Sequence, residues 1–483
     1  MTISIVPHAP AVHAEWRTLR GARRHHDTPR GYGGPAGESR RDRVRSVTTP
    51  EQVDIRDTAF PIEQYRLPNG LRVVLSPDRG VPVVGVAVVY DIGIRMEPQG
   101  RTGFAHLFEH LMFQGSANVA KLEHMSYVQG SGGTLNGSTH LDYTDYYEML
   151  PSNALERALF LEADRMRGPA ITEENLANQI DVVKEEIRVN VLNRPYGGFP
   201  WLKLPPVMFD TFPNAHDGYG SFEDLEAATV HDAQAFFDTY YAAGNAVLTV
   251  AGDFDVAEAV MLIERHFGNV PARGAPVHPD ISEPDLVTER RTSYADPRAP
   301  LPAVAAAWRV PDPVADLDGY LPYVVLAELL TDGDASRLVE RLMQKDRSAT
   351  SLSAYLGFMG EPFAVRDPTA MVFQAHLPVG GDVDKLLSTV DEELIRVADD
   401  GLAPGELERV QARIGLHMLR EDDSIINRAL RLGTGEALHG DARIARQLAR
   451  RLGEVTADQV TAAAATMTPQ RRATVEVIAK GAQ

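Results

Sequence analysis

Hydrophobic and polar positions along this chain follow one plan twice, the second time weakly. The first copy opens with Leu71-Arg72-Val73-Val74-Leu75 and Val83-Val84-Gly85-Val86-Ala87-Val88-Val89-Tyr90, short β-branched runs that read as strands. A compact helix around Phe104–Phe113 follows, then a Gly-rich turn into a strand over Thr134–Thr139 and another over Tyr143–Leu150. Helical spacing covers Asn153–Met166, Glu173–Val191 and Ala233–Tyr241. Strand Ala246–Ala251 and helix Val256–Phe267 close the copy.

Prolines 271, 276, 279, 284, 297, 300 and 302 then mark a linker. Beyond it, strand Ala303–Val310 leads into a helix over Leu317–Met343, strands Ser351–Phe358 and Met371–Leu377, several helices and a last strand, Ala473–Ile478. Met467–Val477 reads as a worn copy of the Asn245–Val250 segment. The pattern predicts an α+β fold of two related halves: residues 57–272, a Pro-rich linker over 273–302, and residues 303–483.

The chemistry concentrates in His106-Leu107-Phe108-Glu109-His110. On a helix, residues i and i+4 leave the same face, so both imidazoles can hold one divalent metal. Glu109 lies on the neighbouring stripe, where a carboxylate can take a proton from a metal-activated water. Phe104, Leu107, Phe108, Leu111, Met112 and Phe113 surround the trio, so the helix reads as buried, and buried polar groups require partners. No second His-x-x-Glu-His occurs, so the first half is expected to be the catalytic zinc domain and the second a related non-catalytic one.

A catalytic zinc site takes a third protein ligand and leaves a position for water. Asp181-Val182-Val183-Lys184-Glu185-Glu186-Ile187-Arg188 sits in a helix with Ile180, Val183 and Ile187 at helical spacing. Periodicity leaves both Glu185 and Glu186 as candidates. The other histidines, His124, His140, His216 and His231, lack partners at ligand spacing and read as surface or satisfied polar residues.

With Gly132–Thr139, Thr144-Asp145-Tyr146-Tyr147, Asn193–Gly197 and Tyr240–Asp253, the motif resembles the pitrilysin or insulinase family of inverted zincins. That family includes the mitochondrial processing peptidases. The resemblance spans most of the chain after about residue 60. It implies two α/β-roll halves that form half of a clam-like peptidase. It also implies one Zn2+ per chain, with a third ligand 76 residues after the second histidine, which selects Glu186. Asn136 matches a substrate-contacting asparagine on a strand that pairs with extended peptide, and Phe113 a position lining an apolar side-chain pocket, though Phe113 reads equally as core. Glu109 would be the base of a zinc metalloendopeptidase acting on short unfolded or leader peptides. A non-catalytic scaffold or peptide-binding subunit is the alternative.

The chain departs from the family at two places. Seven residues before the metal glutamate, where many members carry a second glutamate, stands Gln179. The family's Arg and Tyr, seven residues apart after a Ser-Arg-Leu segment, are replaced after Ser336-Arg337-Leu338 by Met343 and Thr350. Carbonyl-binding donors of that kind are worth a few kcal/mol of barrier lowering. A related partner subunit carrying the pair is therefore expected, in a heterodimer.

Composition narrows this reading. With no cysteine, disulfides and thiolate metal sites are excluded. Residues 1–50 hold nine Arg, no Lys and four acids; that +5 leaves −24 on the other 433 residues, against −19 for the whole chain. An acidic body argues against nucleic acid as a partner. Residues 1–56 read as a disordered Arg-rich tail. Arg23-Arg24 has no apolar stretch after it, which argues against a twin-arginine export signal. The tail's acids and few serines argue against a mitochondrial presequence. No run of 18 apolar residues exists, so a membrane partner is not expected and the expected location is cytoplasmic.

Overall fold

The computed structural model describes residues 60–274 and 276–480. The tail expected over 1–56 lies outside them. The first half builds a six-stranded sheet from β1 (Glu63–Arg66), β2 (Arg72–Pro77), β3 (Val83–Tyr90), β4 (Thr134–Thr139), β5 (Thr144–Pro151) and β6 (Ala246–Gly252). The second builds a five-stranded sheet from β7 (Arg290–Asp296), β8 (Ala303–Arg309), β9 (Ser351–Leu356), β10 (Ala370–His376) and β11 (Arg472–Ala479).

The strand orders are β1-β2-β6-β3-β5-β4 and β7-β11-β8-β10-β9. Apart from the added β1 they are the same. In each, the last strand pairs parallel with the first (β2 with β6, β7 with β11), and the remaining neighbours are antiparallel. The expected internal repeat is thus realised in topology. β11 takes the place of β6, and a short 3-10 turn precedes both, at Ala243–Asn245 and Pro469–Arg471.

The helices of the first half are α1 (Phe104–Leu111), α2 (Glu123–Gly130), α3 (Leu155–Arg167), α4 (Glu173–Ile187), α5 (Pro205–Met208), α6 (Phe212–Ala215), α7 (Phe222–Glu226), α8 (Val230–Tyr240) and α9 (Val256–Phe267). Those of the second are α10 (Leu317–Thr331), α11 (Val383–Asp400), α12 (Glu406–Asp423), α13 (Ile425–Thr434), α14 (Ile444–Gly453) and α15 (Ala457–Thr466). None is long and apolar enough to cross a membrane.

Two features differ from the sequence expectation. The helix expected over Leu317–Met343 ends at Thr331, where Gly333 at φ +81° turns the chain, and a separate π-helical turn spans Val339–Lys345. The stretch 273–302 is not all connector: Arg290–Asp296 is β7, an edge of the second sheet. Its face is largely exposed and its sequence, RRTSYAD, mostly polar, so no apolar alternation announces it.

The halves exchange elements. Along β3, Val84, Val86 and Val88 face the main core of the first half, while Ala87 and Val89 face α13 from the second half, whose Ile425, Ala429 and Leu432 cover them. A Cβ on Gly85 would stand 3.3 Å from Ile425 and one on Gly433 2.8 Å from Val89, so glycines set the close helix–sheet approach. The second sheet has the mirror arrangement. Val304, Ala306 and Trp308 face its own core, and Ala305 and Ala307 are covered by Leu204, Met208 and Phe209 around α5. Each sheet is therefore buried on one face by a segment of the other half. The boundaries 57–272 and 303–483 leave β7 outside the second half and divide each sheet from the segment that covers it.

Candidate metal centre

α1 is buried throughout, its apolar face of Phe104, Leu107, Phe108 and Leu111 packed into the core of the first half. Its two histidines point Nε2 at one another, 3.3 Å apart. α4 brings Glu186 beside them, its Oε2 3.3 Å from His110 Nε2 and 3.7 Å from His106 Nε2. Thr172 caps α4 by accepting from Asn175 N at 3.1 Å. Of the two candidates left open by periodicity, Glu186 faces the histidines, while Glu185 is exposed and pairs with Arg188.

This set fits a zinc ion. A tetrahedral zinc with bonds of about 2.0–2.1 Å holds neighbouring donors about 3.3 Å apart. Burial, then the neighbouring His110, pushes His106 down to about 3, which keeps its imidazole neutral. Glu186 is held below the usual carboxylate range by its histidine neighbours, against the opposing effect of burial, which is the largest single influence. Lone pairs from two imidazoles and one carboxylate thus converge on a gap of cation size.

Glu109 is fully buried beside this triad. Thr139 Oγ1 donates to its Oε2 at 2.8 Å, while Oε1 has no hydrogen-bond partner among the described residues. Burial pushes its pKa up to about 7, against the lowering effect of His110 and Thr139. Thr139 ends β4, the edge strand of the first sheet. A Cβ on Gly137 would stand 3.3 Å from Glu109 Cγ, so this strand runs directly against the Glu109 side chain.

The remaining site expectations separate. Asn136 lies on β4, half-buried and opposite Tyr147, with the free strand edge beyond it. Phe113 belongs to the core: it is 2% exposed, and its ring packs between His124, Tyr146 and the Arg165 guanidinium. That burial, under α2 and α3, is the core placement that the sequence also left open for Phe113. Gln179 is buried two turns before Glu186, but its amide donates to Asn178 Oδ1 at 2.9 Å rather than to the triad.

Partners for three histidines come from far along the chain. His124 Nε2 meets Glu148 Oε1 at 2.7 Å, and His140 pairs with Glu361 at 2.8 Å and Asp145 at 3.6 Å. His216 Nε2 stands 3.1 Å from Glu97 Oε2, whereas His231 is exposed. His124, Glu148 and Glu162 form a second group with metal-like spacing. There, however, both oxygens of Glu162 accept from Arg165, so the cation is already a side chain.

Sequence reasoning missed Tyr219 and the partners of α1. Tyr219 Oη donates to Glu186 Oε1 at 3.3 Å, and its ring stands edge-on to His106 at 4.9 Å. It reaches them because Gly103 and Gly220 cross backbone to backbone: a Cβ on Gly220 would lie 2.3 Å from Thr102 O. The glycines were the available signal, but their crossing is visible only in three dimensions.

Fold and site together define a two-halved α+β chain of the inverted His-x-x-Glu-His metallopeptidase class. The chain belongs to the insulinase family, peptidase family M16. Residues 72–195 match the family's "Insulinase (Peptidase family M16)" domain, and residues 227–414 match its "Peptidase M16 inactive domain". Zinc protease PqqE of Helicobacter pylori is 28% identical over 358 residues, 72% of this chain and 76% of that protein. The crystal structure of a protease from H. pylori superposes with a TM-score of 0.80 at 23% identity, covering 87% of this chain and all of the other. The periplasmic protease PqqL from Escherichia coli matches with a TM-score of 0.71 at 17% identity, and the aligned region takes in 48% of that longer chain.

Proposed function

We propose that this chain is the metal-bearing subunit of a zinc endopeptidase that hydrolyses short unfolded or leader peptides, completed by a related partner chain. The convergence of His106, His110 and Glu186 Oε2 around a zinc-sized gap, with the free Oε1 of Glu109 beside it, carries this reading. Zinc held by those three side chains would supply Lewis acidity and lower the pKa of a water in its open position. Glu109 Oε1 would take the proton of the attacking water and hand it to the leaving amine, with Thr139 holding Oε2. A pKa near 7 suits a group that must do both at neutral pH. The free edge of β4 favours substrates in extended conformation, which pair through their main chain.

A partner chain is proposed because the second half offers no donor pair at the expected positions. Met343 packs on the second core, and Thr350 spends its hydroxyl on His376 O at 3.1 Å. The family description "inactive domain" covers residues 227–414, which takes in α8, β6 and α9 of the first half and the second half as far as α12. The purified chain should bind one zinc and cleave an unstructured peptide only when a related chain bearing an Arg/Tyr pair is added. Glu109→Gln should keep the zinc and lose turnover by about two to four orders of magnitude, read by mass spectrometry of the peptide. Full activity from the chain alone would refute the heterodimer. Absence of tightly bound zinc would favour a scaffold subunit instead.

A further inference from the structure

The metal helix does not cap itself. Gly103 precedes α1 at φ +84° and has no side chain to offer its leading N–H groups. A helix of eight residues is not held by its own hydrogen bonds, so its first turn depends on outside acceptors. Glu97 supplies them: Oε2 accepts from Gly103 N at 2.8 Å and Oε1 from Ala105 N at 2.7 Å. Its charge also sits at the positive end of the helix dipole. His106 is the third residue of α1 and lies within the turn so held.

Glu97 is itself held. His216 Nδ1 contacts Phe212 O at 2.8 Å and Nε2 contacts Glu97 Oε2 at 3.1 Å. Phe212 O can only accept, so Nδ1 donates; burial lowers the His216 pKa, but the Glu97 carboxylate outweighs it and raises the pKa, which favours donation from Nε2 as well. His216 follows α5 and α6, the segment that covers the second sheet through Leu204, Met208 and Phe209. Three residues on, the same segment delivers Tyr219 to Glu186. One stretch of chain therefore rests on the second half and touches both ends of the metal site.

We propose that Glu97 and His216 are positioning residues that set the metal affinity, and that through them the second half holds His106 in place. The inference rests on the zinc reading above. In the full-length chain, zinc affinity is measured by competition with a chromophoric chelator at a temperature where circular dichroism shows each variant folded. Glu97→Gln replaces one acceptor oxygen with an NH2 that opposes the helix N–H groups, and His216→Gln removes the charged partner. Each should weaken zinc binding roughly tenfold or more, the range seen when groups orienting metal ligands are removed. The double variant should be no weaker than Glu97→Gln alone, and exposed Glu185→Gln should bind as the parent does. If Glu97→Gln does not fold, His216→Gln carries the test. Folded variants that bind zinc as tightly as the parent, with only their urea midpoint lowered, overturn the inference. A parent chain that binds no zinc overturns the zinc reading, and the inference with it.

Discussion

Glu109 is fully buried, with one oxygen fixed by Thr139 and the other without a hydrogen bond among the described residues. A hydrogen bond to a charged group is worth about 1.5–3 kcal/mol, so its loss from the base should be felt in turnover. Thr139→Val should lower kcat about tenfold or more with KM little changed, while Thr139→Ser keeps the donor and most of the rate. Equal losses in both variants would assign Thr139 to packing instead. At the next loop, His140 stacks on Tyr143 and pairs with Asp145 and Glu361. Burial works against its charge, but the carboxylates win, and its pKa is pushed up to about 10. Because the folded value lies above the unfolded one, its stabilisation is complete below about pH 6.5 and lost as pH rises toward 10. The urea midpoint of His140→Gln should fall short of the parent's at pH 6, and the gap should close by pH 10. A gap independent of pH would remove the charge from the explanation.

The two helices that carry His106, His110 and Glu186 are held differently at their starts. α4 has a threonine cap of its own, but α1 borrows a carboxylate from Glu97. The crossing of Gly103 and Gly220 lets two loops approach closely enough for Tyr219 to touch Glu186. Gly220 stands at φ +79°, and a Cβ there would meet Thr102 O at 2.3 Å and Gly103 Cα at 2.6 Å, all backbone that cannot rotate away. Gly220→Ala should therefore cost about 2 kcal/mol or more, from left-handed strain plus the clash, and should weaken zinc binding by moving Tyr219. Gly100→Ala is the matched control: its φ is +80° but a Cβ there meets nothing within 4 Å, so it should show only the strain. Comparable losses at both positions, by urea denaturation, would mean that the crossing is not the cause.

At the scale of the molecule, the exchange of covers binds the halves into one folding unit. Leu432 belongs to the second half by sequence, yet it is fully buried with Val74, Val89 and Val247 of the first sheet. Arg366 adds a polar tie, its guanidinium donating to both oxygens of Asp91 at 2.8 and 3.0 Å. Leu432→Ala should cost about 2–5 kcal/mol and lower a single calorimetric transition as a whole. Two transitions, only one of them shifted, would show the halves to be independent. By the same reasoning, residues 57–272 expressed alone should aggregate, since Ala87, Val89 and Ala251 would lose their cover.

Much of the first half was legible in the chain itself. Helix Val256–Phe267 and strand Val83–Tyr90 carry strong local signals, an apolar face at helical period and a β-branched run, and both occur where that pattern sets them. His106, Glu109 and His110 were legible for the same reason: a helix fixes the relation of residues three and four apart. Glu186 needed the family resemblance, because 76 residues separate it from His110 and no local pattern spans that distance. Edge strands β1 and β7 left no signal, since a strand with an exposed face can be polar throughout. Local composition determined which residues could bind a metal and which segments could be strand or helix. The tertiary structure alone decided which sheet each cover lies on, and that Thr139, Tyr219, Glu97 and His216 gather around α1 and Glu186. Those contacts join side chains brought together by packing between elements, and packing has no period along the chain.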